Sequence, residues 1–237
     1  MRAALANAWV KEKGQGEVIS STIVNRQRSG LAGGAAAQGY SGLHVEYGAF
    51  TKATLIADAG YQQYTSQGRG STVFDTALAG GRFLLDRWEN SILSAEVLGG
   101  VSGIRESFNP GSPIAIQGTT ISRVGFGQGF DLFGRHAFAS VEAGWRWRPG
   151  PPADEILFDT NIGIEPWSTG ILMLQTFTIA GIGPANGAYR RYDLVKVQLS
   201  LAQRVSERWW VQAGALLFAA GADSGNVGVT FGLWRRF

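Results

Sequence analysis

The chain contains no cysteine, which excludes zinc fingers, iron–sulfur proteins, c-type haem proteins and disulfide scaffolds in one step. Charge is scarce as well. Only 16% of the 237 residues are Asp, Glu, Lys or Arg, the net charge is +3, and the basic residues are scattered singly. Nucleic-acid binding therefore has no electrostatic footprint here. A long hydrophobic run is also missing. The longest uncharged stretch, Pro166 to Tyr189, has an apolar part from Ile171 to Gly183 that is interrupted by Gln175, Thr176 and Thr178. A spanning helix needs about 20 mostly apolar residues, so this one is too short. What is present instead is 45% hydrophobic residues with 34 glycines, 8 tryptophans, 13 phenylalanines and 6 tyrosines, the reverse of a disordered composition. Glycine and aromatic excess without a hydrophobic helix fits a soluble β-protein or a transmembrane β-barrel, whose hydrophobicity falls on every second residue.

Residues 1–16 stand apart as an N-terminal segment. They open MRAALANAW, with the small-x-small pattern favoured by leader peptidases at Ala4-Leu5-Ala6 and at Ala6-Asn7-Ala8, but without the apolar core of an export signal. One reading is the remnant of an export signal; the other is an ordinary N-terminal segment.

From residue 17 onward, period-2 alternation dominates. In 136–147, Ala137, Ala139, Val141, Ala143, Trp145 and Trp147 share one face and Ser140, Glu142, Gly144 and Arg146 the other. The pattern recurs in 156–165 and 193–203, and in weaker form near residues 43, 55, 77, 93, 124, 209 and 227. Segments 17–26 and 169–180 read as extended, without an assignable face. Tight connections fall near 48–52, 86–90, 133–136, 166–169 and 205–208; longer ones, rich in Gly, Pro, Ser, Asn or Ala, fall near 28–41, 64–71, 104–121, 148–155, 181–190 and 219–225. Five tight turns and six longer loops join about twelve strands. An even number of antiparallel strands with both termini on the short-turn side is the plan of an outer-membrane barrel. The expected fold is therefore all-β, a single transmembrane antiparallel up-and-down barrel over residues 17–237.

A soluble sandwich also alternates, but its polar face meets water and is rich in Lys and Glu. Here both faces carry little charge. Aromatic residues lie near strand ends, and Trp88, Trp145, Trp147, Trp167, Trp209, Trp234 and Phe237 are expected at the membrane interface, where an amphipathic ring suits both media. The expected lumen carries a polar network of His44, Glu46, Asp58, Arg82, Glu96, Arg123, Asp131, Glu142, Arg146, Asp159, Glu165, Lys196 and Arg236. Its acids and bases nearly cancel, as structural ion pairs require, which disfavours a strongly ion-selective pore.

The tail VGVTFGLWRRF resembles the C-terminal signal by which bacterial outer-membrane proteins are read by the barrel-insertion machinery, with Arg235 where another apolar residue is usual. AWVKEKGQGEVI, LLDRWENSILSAEVLGG and GLWRRF together resemble the XagA-like group of proteobacterial outer-membrane proteins encoded near exopolysaccharide and biofilm genes. That resemblance implies an outer-membrane location, outer-membrane lipid and the insertion machinery as partners, and a polysaccharide or envelope complex as a further one.

Catalysis has little to work with. His44, Glu46 and Asp58 share one face of a predicted hairpin, with Asp58 diagonal to His44, and such a set can serve as a base or hold a metal. A nucleophile beside it would have to be Ser41 or Thr54, neither with a distinguishing context. The glycine pairs at 80–81 and 99–100 open no helix, so they are not phosphate loops. The expected function is a small non-enzymatic channel, or an accessory to envelope polysaccharide export or biofilm matrix, without cofactor or metal. The alternatives are an outer-membrane hydrolase acting on lipid or peptide through the His44 cluster, and a soluble periplasmic β-barrel binding protein.

Overall fold

The computed structural model describes residues 8–27, 36–66, 69–105, 114–150, 153–182, 193–221 and 224–237. Twelve strands follow in order: β1 (Gly16–Gln27), β2 (Ala36–Phe50), β3 (Ala53–Ser66), β4 (Arg69–Trp88), β5 (Ser91–Arg105), β6 (Ile114–Leu132), β7 (Arg135–Trp147), β8 (Asp154–Trp167), β9 (Gly170–Ile182), β10 (Asp193–Arg204), β11 (Trp209–Gly221) and β12 (Val227–Arg236). Each pairs antiparallel with its neighbours in sequence, and β1 pairs with β12 to close the barrel. At that seam the Gly16 N–H donates to the Phe237 carbonyl at 2.8 Å and the Phe237 N–H returns a bond at 3.0 Å. No sheet edge among these strands is left open. That closure is what hydrocarbon demands, because an unpaired backbone group has no water to turn to.

The five tight connections sit at one rim, where the sequence places them. At the β6–β7 turn Phe133 and Gly134 both have positive φ (51° and 71°), the twist that a two-residue hairpin needs. The other rim differs from expectation in one respect. β4 and β6 run to 20 and 19 residues and absorb much of what reads as loop in 64–71 and 104–121. A tilted spanning strand needs only about 9–11 residues, so these two continue past an apolar belt. The tips of those loops lie outside the described residues.

Alternation decides what faces lipid. Leu43, Leu55, Phe83, Val97, Val124, Ile156, Phe158, Ile162, Leu174, Leu199, Val229, Phe231 and Leu233 are all exposed on the outer wall. A soluble sandwich would bury these residues between its sheets; here they form a continuous apolar exterior, and the buried ionic residues are inside.

The interior holds apolar groups as well as the polar residues expected there. Near the short-turn rim the wall from β7 to β12 carries an apolar cluster of Phe138, Ile171, Met173, Ala202, Trp210 and Trp234. A second inner cluster, Ile56, Leu78, Leu98, Ile121 and Leu157, meets Ile179, which also packs against Leu194, Leu216 and Phe218. Phe138 can lie flat because Gly163 faces it; a Cβ there would collide with its ring. Facing the first cluster near the short-turn rim, charged residues of β1, β2, β4, β5 and β6 gather on the wall.

Candidate functional site

The lumen is the candidate site, and its chemistry starts with strand register. Arg82 on β4 stands opposite Glu96 on β5, and Glu96 stands opposite Arg123 on β6. Arg82 Nη2 reaches Glu96 Oε2 at 2.6 Å, and Arg123 Nη1 reaches Glu96 Oε1 at 2.7 Å. Arg82 Nη1 also donates to Glu46 Oε1 at 2.8 Å. Glu46 accepts in turn from Lys11 at 3.3 Å, and Lys11 bridges to Glu17, which holds Arg236 Nε at 2.8 Å. The result is one chain of alternating charge, Arg236–Glu17–Lys11–Glu46–Arg82–Glu96–Arg123. Each charge in this chain has a counter-ion, the condition under which a low-dielectric interior tolerates it.

His44 branches from this chain. It lies directly opposite Asp58 in register, where the sequence suggests a diagonal, because β2 and β3 pair without offset at this level. Its Nδ1 is 2.6 Å from Asp58 Oδ1 and its Nε2 is 3.3 Å from Glu46 Oε1. Both ring nitrogens are thus occupied by carboxylates. The two candidate nucleophiles are engaged elsewhere: the Thr54 hydroxyl accepts the Lys11 N–H at 2.8 Å, and Ser41 Oγ pairs with Thr22 at 3.1 Å. The cluster reads as a structural clamp. Among the described residues no group of three or more His, Asp or Glu forms a metal site.

A second ionic cluster lies nearer the long-loop rim, where Glu155 holds Arg146 at 2.7 Å and Arg148 at 2.8 Å. Lys196 places its ammonium 4.4 Å from the centroid of Phe177. Asp159 faces Glu142 across the β7–β8 pair. Two expected members lie at the short-turn rim instead: Asp131 is exposed and Glu165 half-buried, because each sits within three residues of its turn. Sequence reasoning missed Lys11, Glu17, Arg148 and Glu155. Glu17 sits in the segment whose faces alternation could not assign, and the other three in stretches read as N-terminal segment or loop.

The aromatic residues divide by face. Trp88, Trp167, Trp209 and Phe237 are exposed at the short-turn rim, with Phe237 stacked on Tyr47 at 6.5 Å, and Trp145 and Trp147 are exposed toward the long loops. Trp234 breaks the expectation. It is only 2% exposed and stacks on Trp210 at 6.4 Å inside the barrel. Phe231, Leu233, Arg235 and Phe237 take the outer positions of β12, so alternation turns Trp234 inward.

The feature that gives this lumen its character is the segment before β1. Residues 8–15 do not hang from the barrel; they follow its inner wall just inside the short-turn mouth. The Gly14 N–H donates to the Gly48 carbonyl at 2.8 Å and Gly48 N–H to the Gln15 carbonyl at 2.9 Å, tying the segment to β2. Lys11 N–H reaches Thr54 on β3, Arg82 on β4 donates to the Trp9 carbonyl at 3.2 Å, and Ser94 on β5 donates to the Ala8 carbonyl at 2.8 Å. Ala8 and Val10 are buried against Ile92, and Trp9 packs both here and against the apolar cluster of Phe138, with its indole nitrogen beside Gly127 on β6. Backbone, charge and packing all hold this short peptide in the mouth.

No protein-family model and no curated protein matches the sequence. Solved structures do. The chain is similar over 100% of its length, and 100% of theirs, to the COG4313 outer membrane channel from Pseudomonas putida F1, with a TM-score of 0.69 at 10% identity. It is similar to the translocator domain of the autotransporter NalP from Neisseria meningitidis (TM-score 0.57, 10% identity, 96% of this chain and 90% of that one). It is also similar to the β-domain of the Bordetella autotransporter BrkA (TM-score 0.53, 14% identity, 94% and 98%). At these identities the likeness is one of fold. A closed twelve-strand barrel of this fold with an apolar outer wall is a bacterial outer-membrane barrel, its short turns on the periplasmic side.

Proposed function

We propose that the protein is a small outer-membrane channel held closed at rest by its own residues 8–15. The observation that carries this reading is the seating of that segment: it runs along five strands just inside the periplasmic mouth and bonds to Gly48, Thr54, Arg82 and Ser94. Twelve strands enclose a lumen between the filled eight-stranded barrel and the open sixteen-stranded one, so a peptide of this size and one apolar cluster suffice to block it. The near-balanced charge of the wall supports passage of small polar or zwitterionic solutes without strong ion selectivity. That a solved relative in fold is described as an outer membrane channel agrees with this assignment. A part in envelope polysaccharide export or biofilm matrix would use the same barrel; it rests on the resemblance of three sequence motifs.

Planar-bilayer recording of the refolded full chain tests the reading. A resting closed channel gives long silent periods with discrete openings. The double variant Trp9→Ala, Ser94→Ala removes the indole that packs the segment against the apolar cluster, and one anchor, and raises the open fraction at least several-fold. Bilayers silent with both proteins, although both have inserted, overturn the channel assignment in favour of a purely structural barrel.

A further inference from the structure

Alternation along β12 sends Val227, Val229, Phe231, Leu233, Arg235 and Phe237 to the outer wall, and Arg235 alone among them is charged. It is exposed there, between Leu233 on the membrane side and Phe237 at the short-turn rim. In register it stands beside Trp209 on β11 and Val18 on β1, neither of which carries a charge. Among the described residues Arg235 has no ion pair and no side-chain hydrogen bond, whereas Arg236, one residue on and turned inward, is held by Glu17 at 2.8 Å.

What the Arg235 side chain does meet is an aromatic ring. Its guanidinium lies over the exposed indole of Trp209, 5.6 Å from the centroid. A cation–π contact of this kind holds the cation in place but offers no oxygen to its five N–H groups. The depth of the pair decides where an acceptor comes from. Trp88, Trp167, Trp209 and Phe237 mark the short-turn interface, and amphipathic rings settle where acyl chains give way to headgroups. Arg235 is level with Trp209 in register and two residues, roughly 7 Å of strand, in from Phe237. Its long stem carries the charged head back toward the headgroups, where the anion on the lipid side of the wall is a phosphate.

We infer that Arg235 and Trp209 form a binding site on the outer wall for the phosphate of one phospholipid of the periplasmic leaflet. The guanidinium donates two parallel hydrogen bonds to two phosphate oxygens, a match of fork to fork that an ammonium cannot make. Trp209 fixes the direction of the fork, and the acyl chains of the same lipid run along the exposed side chains of Val211, Leu233 and Phe231. The site also accounts for the break in alternation at position 235: an apolar side chain there would suit the hydrocarbon as Leu233 does, but would select no headgroup. It is independent of whether the lumen conducts.

Native mass spectrometry of the full chain, refolded in detergent and titrated with phosphatidylethanolamine, tests the site. That lipid carries a phosphate but no net charge, so a loss of binding does not reflect the loss of one overall charge on the protein. Arg235→Leu continues the apolar alternation of β12, and Arg235→Gln keeps a polar side chain; heat-modifiable gel migration selects the closed barrels of each. Both variants are expected to retain the first bound phospholipid several-fold less than the native chain. Digalactosyldiacylglycerol, a lipid without phosphate, is expected to bind all three alike. Equal retention of phosphatidylethanolamine by native and substituted chains overturns the site, and so does an equal loss of the galactolipid. Binding of inorganic phosphate alone by the native chain, abolished in Arg235→Leu, overturns the lipid as occupant in favour of a free anion.

Discussion

Arg82 and Glu96 face each other across the β4–β5 pair at 2.6 Å, and both are buried. The pair is the hub through which the N-terminal segment, β2 and β6 are tied together, since Arg82 also binds Glu46 and the Trp9 carbonyl and Glu96 also binds Arg123.

Removing one member of that hub leaves two carboxylates without their shared cation. Arg82→Gln is therefore expected to cost about 3–5 kcal/mol, the usual range when a buried pair is broken from one side. Equilibrium urea unfolding in phospholipid vesicles measures it, with Arg135→Gln, an exposed arginine at the periplasmic rim, as the silent control. A loss no larger than the control's would mean that the lumen is wet enough to solvate both acids.

Gly48 is where the N-terminal segment is pinned. A side chain at this position would run into the backbone carbonyls of Glu12 and Lys11, and Gly48 exchanges two hydrogen bonds with Gly14 and Gln15. Gly48→Val should unseat the segment while sparing the barrel wall. Trypsin added to the periplasmic face then cuts after Lys11 and Lys13 faster than in the parent, while heat-modifiable gel migration of the barrel persists. Equal protection in both would show that the anchors at Thr54 and Ser94 hold the segment alone.

How far the sequence reveals this structure depends on which physical signal each part leaves. Strand number, turn sites and the outward apolar face were readable because lipid imposes period-2 alternation over many residues. His44, Glu46, Asp58, Arg82, Glu96 and Arg123 were placed inward on the same basis, yet their partnerships were not readable, because register between strands leaves no trace in one sequence. Lys11 and Glu17 escaped because the lumen has its own content: a segment with no alternation of its own fits there by bonding to five strands. The inner apolar cluster escaped for a related reason. Residues such as Phe138 and Met173 fall on the face opposite the lipid face, where polar groups are the default expectation.

The lipid face itself is open to a direct test. Phe231 is 55% exposed on the outer side of β12, with β1 and β11 paired on either side. Phe231→Arg places a charge in the apolar belt and should cost about 2–4 kcal/mol if the site is near the bilayer midplane. Denaturant titration in lipid bilayers reads the cost. A neutral outcome would put β12 outside the lipid.

Trp209 and Trp234 sit on neighbouring strands at the same rim and point to opposite sides of the wall. Trp209 is 39% exposed toward the outside beneath Arg235, whereas Trp234 is 2% exposed and packed on Trp210. Two variants that each keep one of these indoles, with the other seven tryptophans replaced by Phe, separate them by fluorescence. In vesicles of lipids brominated on the acyl chain near the headgroup, Trp209 emission should be quenched by at least half and Trp234 emission left nearly unchanged. Substitution of Trp234 by Ala in the otherwise native chain should also destabilise, by about 3–5 kcal/mol for a large aromatic taken from a packed interior, where Trp209→Ala costs less because lipid closes over the gap. If Trp234 is the quenched indole, β12 is rotated by one residue in the wall. The inward cluster with Phe138, Ile171 and Met173 would then lose the ring that covers it.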